Sequence, residues 1–161
     1  MECGPFMSTD FRLITLVVAV VIGSVLLGGG MYETLLVDRV WPRNPAIIQP
    51  ARGGITRGLF WTVVHPPYEL ALLASLWLNW DLQPARPWLI VALACHVAAR
   101  TWSFIYFIPR ALRFEKIGDL TEGQRQQAKR WVRLSRVRPF IELASITALC
   151  LAILVEAGRI Q

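Results

Sequence analysis

The sequence predicts an all-α integral membrane protein: a four-helix transmembrane bundle with an amphipathic helix on the cytoplasmic side just before the fourth span. Three observations predict it. Hydrophobic residues make up 55% of the 161 residues and charged residues 17%, with a mean hydropathy of +0.46; soluble domains run at about 45–50% and about 25%. Apolar segments at about 11–32, 59–79, 88–108 and 139–155 approach the roughly 20 residues that cross a hydrocarbon core about 30 Å thick. Basic residues collect between these segments, giving a net charge of +6. That pattern fits anionic headgroups of a lipid bilayer and, with no nucleic-acid motif, excludes nucleic acid as a partner. The length suits one domain, 1–161.

The first span, FRLITLVVAVVIGSVLLGGGMY, is longer than the apolar core of a signal peptide and lacks its cleavage pattern. It reads as a retained helix, with Thr9 or Asp10 able to cap its start. Ala19 and Gly23, and Ser24 and Gly28, stand four apart, a spacing that lets another helix approach closely. Residues 33–58 carry Trp41-Pro42, Asn44-Pro45, Gln49-Pro50 and Gly53-Gly54. The prolines oppose regular helix, and Trp41, Ile47 and Ile48 are apolar enough for the membrane surface. This is an interfacial connection, with a lid over a polar site as the other reading.

The second span holds His65-Pro66-Pro67 in its first turns. Two prolines remove backbone donors and kink or loosen a helix, which a membrane tolerates where the freed groups face protein or a wet cavity. A turn with Pro84 and Pro87 follows. The third span ends in Trp102, Phe104, Tyr106 and Phe107, and Pro109 is expected to stop it. Thr121 with Gln124 is a capping-box pattern for a basic amphipathic surface helix with Trp131, Leu134 and Val137 as its apolar component. The fourth span starts at Pro139. Cys3, Cys95 and Cys150 have no metal-like spacing and read as small buried residues plus a terminal thiol.

Residues 33–58 hold four arginines and residues 109–138 nine Lys or Arg, thirteen of the chain's 17. Positive residues favour the cytoplasmic side. Both termini are therefore expected outside the cytoplasm, in a bacterial inner membrane.

Ionisable residues inside apolar spans are costly, on the order of 3 kcal/mol each, and are functional candidates by default. His65 and Glu69 lie four apart in span two, His96 and Arg100 four apart in span three, and so on one face each. Glu142 sits just inside span four, and Glu33 at the end of span one. Counting helical rise from the span ends puts most of them in the cytoplasmic half of the bundle, with His65 about 9 Å deep and His96 about 20 Å. His65, Glu69 and Arg100 are the catalytic candidates. Glu33, His65, Glu69, His96 and Glu142 offer a mixed N/O set suited to iron, zinc or another transition metal, although the Glu-x-x-His motif of di-iron bundles is absent. The unequal depths of the two histidines argue against one haem clamped between them.

Several readings stay open. One is an oxidoreductase or oxygenase. A second is metal-free proton abstraction from an apolar, acidic small molecule, with a histidine or glutamate as base and Arg100 holding the oxyanion. A third is a transporter, which at four spans would need a homodimer. The last is a network in which Arg100 pairs with Glu69 or Glu142 and only packing is specified.

The glycine-rich end of span one followed by Tyr32-Glu33, then Asn44-Pro45, the aromatic-rich span three, and Trp131 with Arg138 before span four give the chain a further resemblance. It resembles a loose group of small four-span membrane proteins that includes the anthrone-oxygenase-like family. The resemblance implies a four-helix bundle and, for some members, oxygenation of polycyclic phenolic substrates.

Overall fold

The computed structural model describes residues 6–158, with side chains from Phe11 onward; Cys3, Arg159 and the side chains of Thr9 and Asp10 lie outside the described residues. Within them every regular element is helical. Helix α1 spans Phe6–Tyr32, widens into a π-helical turn at Glu33–Val37 and ends as α2, Asp38–Val40. Short 3₁₀ turns follow at Pro45–Ile48 and Pro50–Arg52. Then come α3 Arg57–Leu78, α4 Arg86–Trp102, a second π turn Ser103–Phe107, α5 Ile108–Phe114, α6 Glu122–Ser135 and α7 Arg138–Ala157.

Three helical runs are long and apolar enough to cross a membrane: Phe11–Val40, Arg86–Phe114 and Glu122–Ala157. The protein is a multi-pass membrane protein. Helix α1 packs against α3 and α7, α4 packs against α7, and α3 meets α4. Their shared core holds Leu16, Leu26, Tyr68, Leu72, Leu89 and Leu149. The close approach expected along α1 is confined to one of its two small pairs. Ala19 and Gly23 are buried, and a Cβ on Gly23 would stand 2.8 Å from the Tyr68 ring. Ser24 and Gly28 face outward.

A second core closes one end of the bundle, built from Trp41, Ile48, Phe107, Phe114 and Trp131. It revises three expectations. Trp41 and Ile48 are fully buried rather than resting on the membrane surface. Helix α6 has its capping box, with both Thr121–Gln124 bonds formed, but its buried face is Ala128, Trp131, Val132 and Ser135. That face covers protein, and Val137 lies beyond the helix and is exposed. Finally, Pro109 does not end the third helix, which runs on to Phe114. The preceding π turn explains this. The Ile108 N–H bonds back to the Ser103 carbonyl, and the widened turn relieves the clash a proline ring makes with the carbonyl four residues earlier. Pro66 and Pro67 likewise sit inside an unbroken α3. Of the cysteines, Cys95 is half-buried and Cys150 exposed, both as free thiols.

The two long connections are tied together. Gln49 Nε2 donates to the carbonyls of Phe114 (3.0 Å) and Gly118 (2.6 Å), and Arg52 pairs with Asp119 at 2.7 Å. The turn before α3 depends on glycine. Gly53 has φ +80°, and a Cβ on Gly54 would lie 2.2 Å from the Ala46 carbonyl oxygen and 2.7 Å from the Gln49 nitrogen. Backbone atoms cannot yield as a side-chain tip can. Gly54→Ala is expected to cost about 1–3 kcal/mol through overpacking, read as a lowered thermal midpoint in detergent; an unchanged midpoint would show that the turn re-forms freely.

Candidate functional site: a histidine and glutamate cluster beside a cavity

The helical repeat puts His65 and Glu69 on one face of α3, and His96 and Arg100 on one face of α4. Packing turns these faces toward each other. Arg100 Nε donates to Glu69 Oε1 at 2.8 Å. His96 Nε2 stands 3.5 Å from the same oxygen, and its Nδ1 lies 3.3 Å from Glu142 Oε2 on α7. The His65 ring stacks on Trp61 at 5.6 Å and lies 5.7 Å from the His96 ring. Tyr68 meets His96 edge-on at 4.7 Å, and its hydroxyl shares a 3.0 Å hydrogen bond with Ser145 Oγ, which also donates to the Ala92 carbonyl. His96 on α4 is thus gripped from two other helices, α3 and α7.

One donor atom from each of His65, Glu69 and His96 lies within 4.8 Å of the others. His65 Nδ1 and His96 Nε2 are both buried with no hydrogen-bond partner among the described residues. A buried polar nitrogen left unbonded costs about 1–3 kcal/mol, so each histidine of the cluster has a nitrogen that the described residues leave unsatisfied. The donor set, two histidines and one carboxylate, is the facial set of non-haem iron(II) oxygenases. Metal–ligand bonds of about 2.1 Å need the donors closer together than 4.8 Å. The second contacts also suit a metal: His96 has a carboxylate on its far nitrogen, and Glu69 is held by Arg100.

Not every candidate joins this cluster. Glu33 pairs with Arg57 at 2.8 Å, while also accepting from Trp61 Nε1 at 3.2 Å. Arg57 reaches Glu115 as well, at 3.3 Å. Glu142 touches the cluster only through His96. The histidine rings are far closer than the depths counted along the sequence imply. The count assumed level span ends, and rings 5.7 Å apart rule that out.

Both polar groups border a partly open cavity of about 510 Å³ lined by α1, α3, α4, α5, α6 and α7. His65, Arg100 and Glu142 stand on its wall, as do Glu33, Arg57 and Arg138. Arg57 and Arg138 are the functional candidates that sequence reasoning missed. Both counted there as connection charges, with Arg138 otherwise noted only in the resemblance; here they are the first residues of α3 and α7. No family model, curated protein or solved structure matches this chain.

Proposed function

We propose that this protein is a four-span membrane oxidoreductase of the oxygenase type, holding iron(II) on His65, Glu69 and His96 and acting on an apolar, aromatic substrate in the adjoining cavity. The observation that carries this reading is the gathering of one donor atom from each of His65, Glu69 and His96 within 4.8 Å, with an unbonded, buried nitrogen on each histidine. The bound metal would activate dioxygen, the oxidant the reaction needs. The chain's own residues do the rest. Glu142 fixes the tautomer and ring orientation of His96. Arg100, which lines the cavity, holds the Glu69 carboxylate. Trp61 and Phe107 make that wall apolar and exclude water.

Helix α3 as the fourth span is supported by its outer face. Leu59, Val63, Leu70, Leu73 and Trp77 are all exposed, a stripe at helical spacing that water would penalise and lipid would not. The basic connections 33–58 and 109–138 bond to each other, which supports their sharing the cytoplasmic side of a bacterial inner membrane. The likeness to the anthrone-oxygenase-like group points to the same activity class. Against this stands a packing-only network, favoured by the formed Arg100–Glu69 and His96–Glu142 pairs.

Elemental analysis of the detergent-purified protein, before and after anaerobic iron(II) addition, separates the two. Near one metal per chain is expected. A protein that neither carries a transition metal nor binds iron(II) leaves the packing network as the better account.

A further inference from the structure

Three arginines line the cavity, and two of them are answered. Arg57 has Glu33 and Glu115, and Arg100 has Glu69. Arg138 has no carboxylate within ion-pair distance among the described residues. Glu33 and Glu115 are engaged by Arg57, and Glu142, one turn along α7, is engaged by His96. The nearest bond of Arg138 is a 3.5 Å contact from Nη1 to Ser103 Oγ, at the outer limit of a hydrogen bond. Its Nε is buried with no partner. The guanidinium carbon lies 4.4 Å from the Phe107 ring centre and 5.8 Å from that of Trp131. The rings hold the guanidinium in place and the cation–π attraction supports its charge without satisfying its N–H groups. The fork therefore stands oriented, on a cavity wall, with donors to spare.

The cavity's walls are apolar for most of their extent. Phe104 and Leu112, which line it, are also exposed on the outer surface of the α4–α5 run. The opening thus faces sideways, where lipid would surround the molecule.

We propose that Arg138 is the anion-binding end of this cavity, and that it seats the carboxylate of an apolar acid entering from the lipid phase. A carboxylate matches the guanidinium fork with two parallel charge-assisted bonds, and an apolar body of that size fills the remaining walls. The inference deepens the reading of the cavity as a substrate site but does not depend on the metal.

The test is titration with cis-parinaric acid, a fluorescent apolar carboxylic acid, and with its methyl ester. The protein is held in nanodiscs of zwitterionic lipid at 0.3 M salt, a concentration of about the strength that screens surface charge. Saturable quenching of tryptophan fluorescence by the acid, at least 10-fold tighter than by the ester, is expected. Arg138→Gln should remove the preference, Arg138→Lys should restore part of it, and Arg110→Gln, at an exposed site, should leave it intact. Glu69→Gln, expected to lack metal, should still prefer the acid. Equal binding of acid and ester by the unmodified protein overturns the proposal, whether or not the Arg138 variants fold. An undiminished preference in Arg138→Gln also overturns it. Loss of the preference in Glu69→Gln would assign the carboxylate to the metal and remove Arg138 from the account.

Discussion

Glu69→Gln is expected to give a folded, membrane-inserted protein that no longer retains metal. The exchange is nearly isosteric, and the Glu69 side chain is 39% exposed, so little packing is lost. Arg100 loses the charge of its partner but keeps the glutamine amide oxygen as a hydrogen-bond acceptor. The carboxylate charge is the part of the donor set that a glutamine cannot replace, since hard and borderline divalent ions prefer anionic oxygen. Glu142→Gln should behave differently. It keeps all three ligands and weakens only the grip on His96, for which outer contacts of this kind are worth about 10–100-fold in metal affinity. The ordering is the informative part. Metal content should fall to background in Glu69→Gln and recover in Glu142→Gln at higher iron(II) concentration, with matched thermal midpoints. If Glu69→Gln retains stoichiometric metal, the cluster is not the site. His96→Ala is a poorer probe, because the ring is fully buried against Tyr68 and His65 and its removal opens a cavity with its own cost.

The sequence carried the helices well because their signal is local. Twenty apolar residues, a Thr121–Gln124 capping pair and a small-residue step from Ala19 to Gly23 each act within one segment. The convergence of His65, Glu69, His96, Arg100 and Glu142 was legible for a related reason: a four-residue spacing fixes a shared face, and a charged face inside a bilayer must turn inward. What was not legible depends on contacts between segments. Arg57 and Arg138 look like ordinary flanking charges until residues 33–58 and 109–138 fold over the bundle end and bury Trp41, Phe107 and Trp131 around them. Glu33 was grouped with the histidines because nothing in the sequence links it to Arg57, 24 residues away. Relative depth failed where helix ends were taken as level. Pro109 was read as a stop, and a π turn one residue before it absorbs the proline.

Arg57→Met should be the most destabilising single exchange at the closed end of the bundle. Arg57 is 8% exposed, bridges Glu33 and Glu115, and lies over the rings of Trp41 at 5.9 Å and Trp131 at 5.7 Å. Methionine keeps much of the apolar stem's packing but leaves the buried Glu33 carboxylate with only the Trp61 N–H. Breaking a buried pair from one side costs about 3–5 kcal/mol, because the surviving charge is left uncompensated, whereas removing both charges together is often near neutral. The double variant Arg57→Met with Glu33→Gln should therefore recover most of the loss. Glu115 is closer to solvent, with 19% side-chain exposure, and can hydrate without a partner. Thermal or denaturant unfolding in detergent reads the comparison, with Arg43→Met at an exposed position as the reference. Should Arg57→Met unfold no earlier than Arg43→Met, the buried network contributes nothing to the fold. A single variant less stable than the double has a second consequence. With Arg57 absent, Arg138 is the other cation on the wall that Glu33 shares. Arg57→Met should then draw Arg138 toward Glu33 and weaken binding of the parinaric acid carboxylate, and the double variant should restore it.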